Sequence, residues 1–89
     1  NNQAQVTGVI ADEFVFNHEI YSEKFYTFTL NIPRLSGTDD SVRIMVSERL
    51  LSDEAFKKGD TVDIVKVDCI GRAYIEKTNI EDMKKYFGR

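Results

Sequence analysis

The sequence predicts an all-β fold with short helices: a small, partly open five-stranded Greek-key barrel, with one helix after the third strand and a second at the C-terminus. Three observations carry that expectation. The stretch from Glu23 to Pro33 alternates with period two, placing Tyr26, Phe28, Leu30 and Ile32 on one face and Phe25, Thr27, Thr29 and Asn31 on the other. A large apolar face backed by threonines, an asparagine and a single ring suits an antiparallel sheet with one buried and one open side. The order of segments reads three strands, a helix, one or two strands and a terminal helix. Finally, 89 residues with 42% hydrophobic content suffice for one small core, so residues 1–89 are expected to form one domain.

Taken in order, Gln3 to Asn17 reads as a long first strand in which Val6, Gly8 and Ile10 share a register that Phe14 and Phe16 continue. A glycine inside a strand marks a bend, a bulge or close backbone approach, so the strand is expected to curve at Gly8. The polar mixture from Asn17 to Ser22 suits a hairpin connection into the second strand, which Pro33 and Arg34 end because proline has no N–H for the ladder. Ser36 to Asp40 is turn-rich. Ser41 to Ser47 alternates as a third strand, with Val42, Ile44 and Val46 inward and Arg43 and Met45 outward.

Glu48 to Lys58 is a helix candidate with Ser47 or Ser52 as N-cap and Gly59 as its stop. Thr61 to Val67 forms a fourth strand that sets Val62, Ile64 and Lys66 against Asp63, Val65 and Val67 with its facing ambiguous, and Arg72 to Lys77 a fifth. Asn79 to Phe87 reads as a terminal helix with Ile80, Met83 and Phe87 on one stripe. No internal repeat, low-complexity tract or linker interrupts the chain.

A formal charge of −3 and a pI near 5.1 argue against a surface that attracts nucleic acid or anionic lipid everywhere, although twelve Lys and Arg can still form a local basic face. No apolar run is long enough to span a bilayer, and no signal-peptide pattern opens the chain. It starts on Asn1 rather than Met, which points to an excised fragment or a processed end. Cys69 is the single cysteine, so a reducing, cytoplasmic setting is expected, with the thiol half-buried. His18 is the single histidine, and with Cys69 it falls short of a zinc ligand set. His18–Glu19 lacks a nucleophile or third member. The pairs Asp12–Glu13 and Asp39–Asp40 lack any recognised cation-loop spacing. No catalytic role, cofactor or metal is expected.

The order of elements, with a helix after the third strand, suits the OB-fold, the oligonucleotide/oligosaccharide-binding barrel. From about Val6 to Ile64 the wording also resembles the bacterial single-stranded DNA-binding protein family. Val6-Thr7-Gly8-Val9-Ile10 resembles its opening strand, Phe28-Thr29-Leu30 its second, and Val42-Arg43-Ile44-Met45-Val46 its third. Lys57-Lys58-Gly59-Asp60-Thr61-Val62 resembles the approach to its fourth. Phe14 to Glu19, Phe25-Tyr26 and Val46 to Leu50 look like a divergent branch that uses Phe and Tyr instead of Trp. The chain departs from the family at Ser41 and Ser47, where many members carry stacking aromatics, and at Lys66 and Cys69, where Gly and Arg are usual. The ending Tyr86-Phe87-Gly88-Arg89 is unlike the family's partner-recruiting acidic tail.

The resemblance implies sequence-tolerant binding of single-stranded DNA in replication, repair or recombination, homodimers or homotetramers, and contacts with replication or repair proteins. Such binding needs flat rings for bases and cations along the phosphate path. Phe25, on the outward register, and Tyr21, near the hairpin tip, are the stacking candidates. The alternatives are packing against a loop or subunit for Phe25 and a solvated loop residue for Tyr21. Arg43 is the leading phosphate ligand, with an ion pair to a neighbouring carboxylate as its alternative. Lys24, Arg34 and Arg49 are further cationic candidates, and Arg72 another. Two rival functions remain: a protein-interaction or assembly domain without nucleic-acid binding, and an accessory domain of a larger replication enzyme.

Overall fold

The structure is a computed structural model and describes residues 6–78. Its elements are β1 (Val6–Ile10), β2 (Val15–Ile20), β3 (Glu23–Pro33), β4 (Asp39–Ser47), α1 (Glu48–Asp53), β5 (Thr61–Val67) and β6 (Ala73–Lys77). The expected terminal helix, from Asn79 to Phe87, lies outside the described residues.

β3 is the hub. It pairs antiparallel with β4 from Phe25 to Pro33, so β1 and β2 must share its other edge, with Ile10 opposite Leu30 and Phe16 opposite Tyr26. β1 continues to β5 and β5 to β6, all antiparallel. A parallel bridge between Met45 and Arg72 then brings β4 to the start of β6 and curls the sheet into a partly open barrel. The predicted inward sets of β3 and β4 fill it together with residues of β1, β5 and β6: Phe28, Leu30 and Val46 are fully buried with Ile10, Val62, Ala73 and Ile75, and Tyr26, Ile32, Val42, Ile44 and Ile64 pack against them. Each of the large side chains contributes about 1.5–3 kcal/mol by leaving water. Gly8 permits the close approach expected of it, since a Cβ there would lie 2.6 Å from the Asn31 carbonyl oxygen and 2.8 Å from Leu30 Cγ.

Four expectations change. The single long first strand is two, interrupted from Ala11 to Phe14. There the Asp12 carboxylate accepts the Thr29 N–H at 2.8 Å while Ala11 N–H donates to the Thr29 carbonyl at 2.9 Å, so a side chain takes the place of a ladder acceptor. Phe14 turns its ring onto Phe28 (centroids 4.6 Å apart). The connection expected over Asn17 to Ser22 shrinks to Tyr21–Ser22, with φ of 51° and 66°, because β2 pairs with β3 as far as Ile20 opposite Glu23. The helix keeps its Ser47 N-cap, whose Oγ accepts the Arg49 N–H, but ends at Asp53 instead of Lys58. The Asp60 carboxylate accepts the Lys57 N–H at 3.0 Å and draws that segment into a turn, with Gly59 at φ 97°. Cys69, at the β5–β6 tip, is exposed rather than half-buried.

Candidate nucleic-acid interface

The outward face of β3 and β4 carries three cross-strand rows: Thr27 opposite Met45, Thr29 opposite Arg43, and Asn31 opposite Ser41. The threonine hydroxyls are acceptors at the height of the arginine, and they fix it. Arg43 Nη1 donates to Thr29 Oγ1 at 2.9 Å and Nη2 to Thr27 Oγ1 at 2.8 Å, laying the guanidinium across β3. Two of its five N–H donors are used in this way, and its side chain remains 56% exposed. Ser41 extends the polar face by donating to Asn31 Oδ1 at 2.8 Å. Asp12 Oδ2 stands 3.6 Å from Arg43 Nη1, so the cation is both accessible and paired with a carboxylate. The Thr29 N–H holds the Asp12 carboxyl below the usual carboxylate range, with Arg43 and Lys58 acting in the same direction.

Phe25 requires a correction. It stands outside the barrel core, but it is only 3% exposed and offers no open ring. The register shift between Phe16 and His18 sets His18 opposite Phe25, and the imidazole lies flat on the phenyl ring with centroids 4.9 Å apart and planes 17° from parallel. The half-exposed His18 is therefore the ring nearer solvent.

The remaining candidates occupy different places. Tyr21 projects from the β2–β3 turn, 98% exposed. Lys24 is exposed beside it, with its backbone N–H held by Glu48 Oε2 at 3.0 Å. Arg49, in the first turn of α1, has an 82% exposed side chain and lies 3.8 Å from Glu23 Oε2. Arg34 pairs with Asp40 at 3.2 Å at the other end of β3. An eleven-residue strand spans about 33 Å, so Tyr21 and Arg34 cannot meet one small ligand group.

A second cluster, which strand alternation does not reveal, lies on β5 and β6. A register shift between Ile64 and Lys66 sets Lys66 opposite Tyr74, with Nζ 4.8 Å from the ring centroid, and Arg72 Cζ lies 5.4 Å from the same ring. Arg72 is held by Asp68 (Nε to Oδ2, 2.7 Å) and approaches Glu23 at 3.5 Å. The hydrogen bond to Asp68 raises the Arg72 pKa above its ordinary value. Burial works to raise the Asp68 carboxyl, but hydrogen bonds from the Arg72 backbone and side chain outweigh it and hold the group low. Because Arg72 also bridges to Met45, this ring-and-cation group borders the Arg43 face.

No family model matches the chain, and no curated protein matches it. Among solved structures, it is similar to the dimeric N-terminal domain of PriB protein from Thermoanaerobacter tencongensis, with 29% identity, a TM-score of 0.71, and coverage of 85% of this chain and 94% of that one. The fold is an OB-fold. The helix after β4 and the curled sheet are those of an OB-fold, with β1 and β2 together standing for its first strand. The likeness supports the kind of barrel that single-stranded DNA-binding proteins use without assigning one family. Among the described residues, no helix is long and apolar enough to cross a membrane.

Proposed function

We propose that this OB-fold chain binds single-stranded DNA with little sequence preference, serves replication, repair or recombination in the cytoplasm as one domain, and performs no reaction. The observation that carries this reading is Arg43, fixed by two threonine hydroxyls on an open polar face, with donors left for a phosphate. Tyr74, flanked by Lys66 and Arg72, adds a ring and two cations at the border of that face, and Tyr21 a fully exposed ring at the hairpin tip. Bases stacking on rings and phosphates meeting cations need no base-edge code. Lys24, Arg34 and Arg49 supply outlying charges. Anisotropy of a labelled dT oligomer at two salt concentrations tests the proposal. Binding that weakens with salt is expected, whereas no binding at high micromolar protein and low salt would overturn it.

The chain acts as a homodimer in this reading. The dimeric PriB domain supports that, as does β2, which pairs only with β3 among the described residues and exposes Val15, Phe16 and Ile20. Sedimentation should give a dimer or a pair of dimers; a monomer at high micromolar concentration would refute it. The same apolar strand, with the net charge of −3, favours the second reading: an assembly domain, alone or within a larger replication enzyme, that does not hold nucleic acid.

A further inference from the structure

The break between β1 and β2 leaves the Thr29 N–H facing Asp12 instead of a strand carbonyl, and Asp12 Oδ1 accepts it at 2.8 Å. Any side-chain oxygen at that place would serve. The second oxygen does something only a carboxylate can do: Oδ2 stands 3.6 Å from Arg43 Nη1, beyond a good hydrogen bond but within ion-pair range. Asp12 thus offsets the arginine's charge while leaving its free donors unspent. Its side chain is 47% exposed beside the 56% exposed arginine, so a phosphate approaching Arg43 also approaches a negative charge.

We propose that Asp12 is a built-in competitor for phosphate at Arg43, a fixed negative charge on the binding face that weakens the hold on a single strand and hastens its release. The inference rests on the DNA-binding reading above. Support comes from the Thr29 N–H and the nearby cations, which keep the carboxylate ionised at neutral pH, so the competition is permanent. Lys58, also close enough to act on Asp12, is a second cation whose charge it dampens.

Asp12→Asn keeps an oxygen for Thr29 and removes the charge, and Asp12→Ser is a second neutral variant should the first unfold. With labelled dT oligomer, either should tighten binding about two- to five-fold, the range expected for an exposed ion pair. The affinity should fall more steeply with salt than in the unmodified protein. In an Arg43→Ala background most of this gain should vanish, because the charge being released is that of Arg43. Unchanged or weaker binding by the folded neutral variants, or a gain that persists without Arg43, would overturn the competitor role. If the unmodified protein binds and Arg43→Ala weakens it while the Asp12 variants change nothing, only this inference falls. If neither the unmodified protein nor any variant binds, the DNA-binding reading falls with it.

Discussion

Phe25 and Arg43, on neighbouring strands, show how single side chains divide stability from binding. Phe25 is buried beneath His18, so its loss should be felt mainly in the fold. Phe25→Ala is expected to cost about 3 kcal/mol, the low end for truncating a buried phenylalanine. Urea unfolding measures this, and a loss under 1 kcal/mol would mean that the ring is not packed as described. Arg43 is the reverse case, exposed and bonded only to surface hydroxyls and one carboxylate. Arg43→Ala should leave the unfolding midpoint nearly unchanged while reducing the slope of log affinity against log salt by about 0.7, the share of one phosphate on a single strand. An unaltered slope would move the phosphate path away from β3 and β4.

At the scale of elements, the β2–β3 hairpin carries a conflict between conformation and residue type. Both turn residues, Tyr21 and Ser22, have positive φ, a combination that two-residue hairpin turns favour and that Asn-Gly satisfies best. Holding a side chain in this region costs about 1 kcal/mol per residue. Ser22→Gly is therefore expected to raise stability by about 0.5–1 kcal/mol with DNA affinity unchanged. Tyr21→Asn should also stabilise the turn but weaken binding by about 1 kcal/mol through the lost stacking ring. Thermal unfolding and the dT titration on both variants separate the effects. Equal affinity for the two would show that Tyr21 touches no base.

Across the whole molecule, three carboxylates whose pKa values are lowered join separate parts of the barrel. Asp12 ties the strand break to β3, Asp60 ties the turn before β5 to Lys57 and Lys77, and Asp68 ties the β5–β6 tip to Arg72. The hydrogen bond from the Lys57 N–H is the leading cause at Asp60, the Thr29 N–H at Asp12, while at Asp68 hydrogen bonds overcome an opposing burial effect. A carboxylate with a folded-state pKa below its unfolded value stabilises the fold above the unfolded value, about 3.9, and loses that contribution as pH falls through the folded value. Stability should therefore be level from about pH 7 to 5 with respect to these groups and fall below about pH 4. Denaturant titrations down that range provide the check, and a midpoint that does not fall between about pH 4 and 2.5 would contradict it.

Period-two alternation is set by local backbone geometry, which is why the inward sets of β3 and β4 could be read from residue order alone, whereas β5, apolar on both faces, needed the structure to turn Val62 and Ile64 inward. The Ser47 cap and the close approach at Gly8 are equally local, being consequences of a hydroxyl before a helix and a missing Cβ within a strand. Residue order thus specifies the succession of elements, the core faces of β3 and β4 and the outward placement of Arg43. Only tertiary structure decided what the outward face presents. One-residue register shifts put His18 over Phe25 and Lys66 beside Tyr74, while the break after β1 put Asp12 against Thr29 and Arg43. The physical reason is that a bulge re-aims every side chain near it. Its position follows from pairing between strands distant in sequence, which no local pattern records.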